Sequence, residues 1–189
     1  LWAKHWSGSD GPESIYLVGH LQSVYHAAQT ILDRTGKDQL RALGLDPDQW
    51  FCRFQRIVLA AAAIHDLGKA NDHFQGMICG TRHAAQAIRH EWVTYLLLNM
   101  DDWKKWFQSA FPATNPDDWR IALWAVTGHH PAYGRPSPPK TTEPGTNSEM
   151  RLLVGHDDFR RAAAWIAEQL NLIVPPQSDD IRLPLTGLQ

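Results

Sequence analysis

In the stretch "AAAIHDLGKANDHFQ", residues 61–75, an imidazole and a carboxylate, His65 and Asp66, stand side by side at the end of an apolar run. Both groups are costly to bury unless something coordinates or neutralises them. On a helix of 3.6 residues per turn, His65 falls close to the direction of the Phe54, Val58, Ala61 stripe, so it is predicted to point inward. Asp66 lies about 100° further round, so the two share a pocket only where the helix end meets neighbouring segments. Gly68 is predicted to cap that helix, with Lys69 as a nearby cation. Taken alone, His65 could be a core histidine satisfied by a carbonyl, beside a surface aspartate.

Three further histidines change the balance. His20 lies at the edge of an apolar stripe, His90 shares a line with His83, Ala87 and Thr94, and His130 continues the Leu123, Val126 face just past Gly128. Four inward imidazoles plus a His-Asp pair fit a metal pocket better than four unrelated core histidines, since neutral imidazole and carboxylate are usual ligands of borderline divalent metals. A shared carboxylate such as Asp66 can bridge two ions, and paired ions about 3.5–4 Å apart suit phosphodiester hydrolysis. No Ser or Cys nucleophile in a recognisable triad or elbow competes, and no Gly-rich phosphate loop is present.

The elements that must position these residues read as helices almost throughout. Leu17, Leu21, Val24, Ala28 and Ile31 recur at three- and four-residue intervals, as do Phe54, Ile57, Val58, Ala61 and Ile64. A third, core helix is predicted over about 83–100. Asn115-Pro116-Asp117-Asp118 is a start signal, with Asn115 as N-cap, for a helix over Trp119–Thr127 that Gly128 ends. Phe159, Ala162, Ala163, Ile166 and Leu170 mark a last long helix after Asp157-Asp158. No alternating strand pattern is evident, and the Pro-rich stretch between His130 and Met150 is predicted as a long loop beside the metal pocket. The expectation is an all-α, compact helical fold.

Composition bounds the function. With 189 residues, 43% hydrophobic and nine Trp, the chain suits a single domain over 1–189. A net charge of -2 gives no global pull toward nucleic acid, so such a substrate would be held locally or delivered by a partner. No apolar stretch approaches the roughly 20 residues of a membrane helix, so no membrane partner and a cytoplasmic setting are expected. Cys52 and Cys79 have no zinc-type spacing and are read as reduced thiols.

"LWAKHW" at the start, "HLQSVYHAA" with His20, "IHDLGKANDHFQ", "RHE" at Arg89–Glu91, "AVTGHHP" with His129 and His130, and "LPLTGL" near the end occur together in one order and spacing. In these motifs the chain resembles the HD phosphohydrolase superfamily, and more narrowly the HD nuclease domain of the CRISPR-associated protein Cas3. The resemblance implies a helical HD-domain fold and a metal-dependent phosphodiesterase, an endo- and exodeoxyribonuclease of CRISPR-Cas type I interference acting on single-stranded DNA. It implies one metal held by His20, His65 and Asp66, and another by Asp66, His90, His129 and His130. Lys69 matches the motif lysine and would meet phosphate charge.

The implied cofactors are one or two divalent transition-metal ions (iron, manganese, nickel or cobalt). The implied partners are a Cas3 helicase, fused or separate, and a Cascade surveillance complex with guide RNA. In the family a final aspartate follows the "TGL" segment, whereas this sequence stops at "LPLTGLQ". The chain is therefore expected to end just short of the last family motif. The alternatives are an HD-family nucleotide or cyclic-nucleotide phosphohydrolase and a catalytically silent HD binding module. His5, His26, His73, His83 and His156 match no motif and are expected on the surface or in the core. Trp103, Trp106 and Phe107 read as core or partner-facing residues, with base stacking as the alternative.

Overall fold

The computed structural model describes residues 1–7, 11–82, 86–130 and 149–185. Seven α-helices carry the fold: α1 (Leu17–Ala42), α2 (Pro47–Ile64), α3 (Asp72–Ile78), α4 (His90–Leu97), α5 (Asp101–Gln108), α6 (Asp118–Thr127) and α7 (Asp157–Leu170). A 3-10 turn, Leu67–Lys69, lies between α2 and α3. Two short strands, β1 (Glu149–Leu152) and β2 (Ile181–Pro184), pair antiparallel, with Met150 opposite Leu183.

The first two helices form a hairpin. Gly44 makes the turn at φ 73°, a left-handed conformation open to glycine. Pro47 occupies the first turn of α2, where its missing N–H costs nothing, and the Asp46 carboxylate accepts from the Asp48 amide at 3.0 Å. α2 packs against α1, α6 and α7, and its deepest positions are Ala60, Ala63 and Ile64. Small side chains there let three helices close around one. Phe54, Val58 and Ala61, the stripe predicted to face the core, are half-buried instead, and on α1 Ile31 is exposed while Leu32 takes the buried position. Leu17, Leu21 and Ile64 are buried as predicted, while the rest of each stripe gives way to neighbouring positions, because partners on several sides select the face that a sequence pattern only brackets.

The core fills with large groups from the later helices. Trp103, Trp106 and Phe107 of α5 and Phe159 of α7 are all buried. Each such side chain contributes about 1.5–3 kcal/mol on leaving water, more than the exposed ion pairs on α1 and α5 can supply. Their burial makes the α5 aromatics core residues, and base stacking is ruled out for them.

Four expectations change. The third helix begins at His90 rather than near 83, because Arg89 has extended backbone (φ −65°, ψ 143°). The apolar residues before it, Ala87 and Ile88, are fully buried without being helical, so hydrophobicity there reflected burial, not a helix. α6 starts at Asp118, with Asp117 at the cap position and no capping bond from Asn115. α2 ends at Ile64, so Gly68 does not cap it but sits in the 3-10 turn. Finally, the two strands are real though only four residues each, too short for their alternating pattern to stand out beside a Pro-rich stretch. The predicted loop lies outside the described residues except for Glu149 and Met150, which are in β1, and His83 lies outside them as well.

The small sheet buttresses the His65–Asn71 segment. Leu153 N donates to the Ala70 carbonyl at 2.9 Å, and Arg151 N donates to Asp72 Oδ1 at 3.0 Å. From the other side, the Gln75 amide brackets the N-terminal segment, accepting from Trp2 N at 2.9 Å and donating to the Trp2 and Lys69 carbonyls at 2.8 and 2.9 Å.

Candidate metal centre

Asp66 follows the last turn of α2 and is only 2% exposed. Its carboxylate is the hub of the site. Oδ2 lies 2.8 Å from His20 Nε2, 3.1 Å from His65 Nε2 and 2.6 Å from Lys69 Nζ. Oδ1 lies 3.0 Å from His90 Nε2 and 3.6 Å from His129 Nε2.

The residues fall into two overlapping sets that share Asp66. Ligand atoms of His20, His65 and Asp66 lie within 4.8 Å of one another, and so do those of Asp66, His90, His129 and His130. His20 comes from α1, His65 from the end of α2, His90 from the first residue of α4, and His129 and His130 from the segment after α6. His129 and His130 sit at the exposed rim rather than pointing into the core, with their rings 4.1 Å apart, and His130 lies edge-on to His90 at 4.8 Å. All six residues expected to be ligands from the sequence therefore meet at one carboxylate.

Backbone hydrogen bonds fix which nitrogen of two of these rings faces the carboxylate. His65 Nδ1 lies 2.8 Å from the Ala62 carbonyl, and His129 Nδ1 lies 2.5 Å from the Val126 carbonyl. A carbonyl oxygen only accepts, so each Nδ1 carries a proton and Nε2 is the ring atom left to face Asp66, as a lone pair in the neutral ring or as a second donor in the imidazolium. Contact between that nitrogen and a carboxylate oxygen needs a positive charge between them, either a proton on Nε2 or a metal ion. Asp66 Oδ1 and His90 Nε2 are also buried without a hydrogen-bond partner although 3.0 Å apart. Orphaned polar atoms of this kind cost about 1–3 kcal/mol each, and a divalent ion would satisfy both. The donor set of imidazole nitrogens and a carboxylate fits a divalent metal.

The charges of the site favour a proton in that place when the centre holds no metal ion. Burial works to raise the Asp66 pKa, but the imidazoles of His129, His20, His65 and His90 outweigh it and hold the carboxyl well below the usual range. Asp66 is an anion at any physiological pH. Burial, with the charges of His129 and His90, pushes His130 down to about 4, so it is neutral and its lone pair is available. For His129, burial is outweighed by Asp66, which raises its pKa.

Lys69, 8% exposed, completes the inner ring; its ammonium lies 5.4 Å from the centre of the Phe74 ring, and Phe74 stands edge-on to His90 at 5.6 Å. The segment holding these groups is pinned to α4 by contacts that spacing did not reveal. Gly68 N donates to Thr94 Oγ1 at 2.8 Å, and the Thr94 hydroxyl donates to the His90 carbonyl at 3.2 Å. Any Cβ on Gly68 would overlap the His90 carbonyl and the Thr94 amide, so only glycine lets the two segments meet. Asn71, fully buried, accepts from Phe74 N at 2.8 Å and donates to the Gly68 carbonyl at 2.5 Å. The one sequence signal for this layer is polar residues inside an apolar run, as with Thr94 and Glu91 in α4.

Among the described residues, the unmatched histidines His5, His26, His73 and His156 are in neither ligand set. His73 is 1% exposed with no hydrogen-bond partner on either ring nitrogen. His156 caps α7, its Nδ1 accepting from Asp158 N at 3.0 Å, and His5 Nδ1 lies 3.3 Å from the Ile78 carbonyl. His26 is exposed on α1. No described helix is long and apolar enough to cross a membrane.

Comparison with known proteins joins this geometry to a family. The family model described as "Cas3, HD domain" matches residues 2–189. A putative CRISPR-associated nuclease/helicase Cas3 of Myxococcus xanthus is 38% identical over 179 residues, 93% of this chain and 23% of the relative. The CRISPR-associated nuclease/helicase Cas3 subtype I-F/YPEST of Pectobacterium atrosepticum is 29% identical over 159 residues, covering 82% of this chain and 14% of the relative. Its counterpart in Pseudomonas aeruginosa is 31% identical over 134 residues, 67% of this chain and 11% of the relative. The chain thus spans less than a quarter of the length of these relatives, and no solved structure matches it. With a family match over nearly its whole length and a nuclease/helicase relative aligned across 93% of it, the chain belongs to the Cas3 HD-domain family.

Proposed function

We propose that residues 1–189 act as one catalytic domain that hydrolyses phosphodiester bonds of single-stranded DNA in CRISPR-Cas type I interference in the cytoplasm. One ion would be held by His20, His65 and Asp66 and a second by Asp66, His90, His129 and His130, with Asp66 shared. The observation that carries this reading is the convergence of imidazole nitrogens and orphaned polar atoms on one buried carboxylate. Nitrogen-rich ligation favours iron, manganese, nickel or cobalt over magnesium. When bound, such ions supply a water of lowered pKa and neutralise phosphoryl charge.

The chain's own residues do the rest. Asp66, held as an anion, keeps the donor atoms of four elements converged. Lys69 is the cation beside the reacting position and would contact a non-bridging phosphate oxygen, where a fixed positive charge favours the transition state. The exposed rim at His129 and His130 is the side from which a strand would enter. With a net charge of -2 the domain has little attraction of its own for DNA, which suits delivery by a Cas3 helicase recruited to a Cascade complex with guide RNA.

The test is cleavage of circular single-stranded DNA by metal-free protein supplied with manganese, nickel or iron. Metal-dependent cutting that vanishes in Asp66→Ala is expected. Cutting that survives in Asp66→Ala, or none with any of these metals, overturns the proposal.

A further inference from the structure

The ring histidines of the centre are not all oriented in the same way. His65 and His129 each donate Nδ1–H to the carbonyl three residues earlier, at 2.8 and 2.5 Å, and so present Nε2 to Asp66. His90 cannot do this. It is the first residue of α4, and Arg89 before it is extended, so no preceding helical turn offers a carbonyl. Among the described residues its ring makes no backbone hydrogen bond.

A carboxylate stands where that carbonyl would be. Glu91 is 1% exposed, its Oε1 is paired with Arg89 Nε, and its Oε2 lies 3.6 Å from His90 Nδ1. Among the described residues, Glu91 Oε2 is buried with no hydrogen-bond partner, as are His90 Nε2 and Asp66 Oδ1. Three orphaned atoms therefore belong to one chain of groups running from Glu91 through the His90 ring to Asp66.

We infer that Glu91 is a positioning residue for His90: its free Oε2, 3.6 Å from Nδ1 and just beyond hydrogen-bond reach, would accept the Nδ1–H on a small closing shift, fixing the tautomer whose Nε2 lone pair faces Asp66 and a shared divalent ion. This rests on the metal-centre reading above. A carboxylate behind a ligating imidazole fixes its orientation and raises its basicity, and loss of such a partner commonly weakens metal binding about 10–100-fold. Arg89 holds the other carboxylate oxygen, so Glu91 has one oxygen left for this task.

The test is nickel binding to metal-free protein by calorimetry, with urea unfolding alongside. Glu91→Leu removes the acceptor, and its nickel Kd is expected to rise about 10–100-fold. Arg89 is 41% exposed, so water takes up its charge in the variant. Glu91→Gln keeps a carbonyl that can accept from Nδ1 and is expected to bind within a few-fold of the unmodified chain. Unchanged affinity in Glu91→Leu, or an equal loss in Glu91→Gln, overturns the role. If Glu91→Leu does not fold, ring-nitrogen NMR of His90 in the metal-free unmodified protein decides: a proton on Nδ1 supports the role, and one on Nε2 overturns it. If the unmodified chain binds no nickel, it is the metal centre that fails, a result distinct from either of these.

Discussion

Two buried carboxylates in this molecule have opposite surroundings. Asp118, at the first residue of α6, is fully buried and meets the Arg53 guanidinium in a fork, with Nη2 at 2.7 Å and Nε at 2.9 Å from Oδ1. Its negative charge also suits the positive end of the helix. Asp66 is nearly as buried, but it is ringed by imidazoles and a lysine from several elements, with one oxygen and one facing nitrogen orphaned. The first carboxylate is satisfied by a single partner and closes a helix junction. The second is held in an arrangement that the protein alone does not satisfy, which marks a ligand site rather than a structural ion pair.

Exchanging the losses is the strongest way to break that contrast. Asp66→Asn should erase metal binding, and with it cleavage, by on the order of a thousandfold, the scale lost when a developing charge loses its partner. Metal at 100 times its Kd should stabilise the unmodified chain by about 2.7 kcal/mol in thermal unfolding, and that gain should vanish in the variant. Asp118→Asn should leave metal affinity unchanged. If both variants lost metal equally, the two carboxylates would not differ in kind.

Next in size is Arg53→Met, which strands Asp118 as a buried charge. The expected cost is about 3 kcal/mol in urea unfolding, near the low end for a broken buried pair because Arg53 is about one-third exposed. Nickel Kd should not move.

His73 sharpens the contrast on a smaller scale, being a buried imidazole with neither a partner nor a ligand set. Burial, and then the charge of Arg82, lower its pKa below the ordinary 6.5. A histidine depressed in the fold is neutral where the unfolded chain would be protonated, so its contribution is intact above 6.5 and lost as pH falls below that value. Stability should fall by up to about 1.4 kcal/mol per pH unit in that window. Urea midpoints at pH 7, 6 and 5 should show a slope in the unmodified chain that is smaller in His73→Leu, where the depressed His130 still contributes.

Much of the fold was legible because helical periodicity is strong wherever one face is buried. α7 and its Asp157-Asp158 start are clear from Phe159, Ala162, Ala163 and Ile166 alone. The same rule failed before His90, where Ala87 and Ile88 are buried by extended and bent backbone, and it could not resolve the four-residue strands. Gly68 was visible as a special position but for the wrong reason: close approach of α4, not a helix end, is what excludes a side chain there.

For the site, the sequence by itself determined the kinds of ligand. His20, His65, Asp66, His90, His129 and His130 could be named as candidate ligands from motif order because ligand chemistry belongs to residue type, and the fold brings them together. Which nitrogen of each ring carries its proton, which atoms are left without partners, and how Glu91, Thr94 and Asn71 brace the centre were decided only by tertiary structure. Those properties depend on distances between distant elements, such as His20 and Asp66, 46 residues apart in the chain, and on burial from water, neither of which is a property of any residue in the unfolded chain.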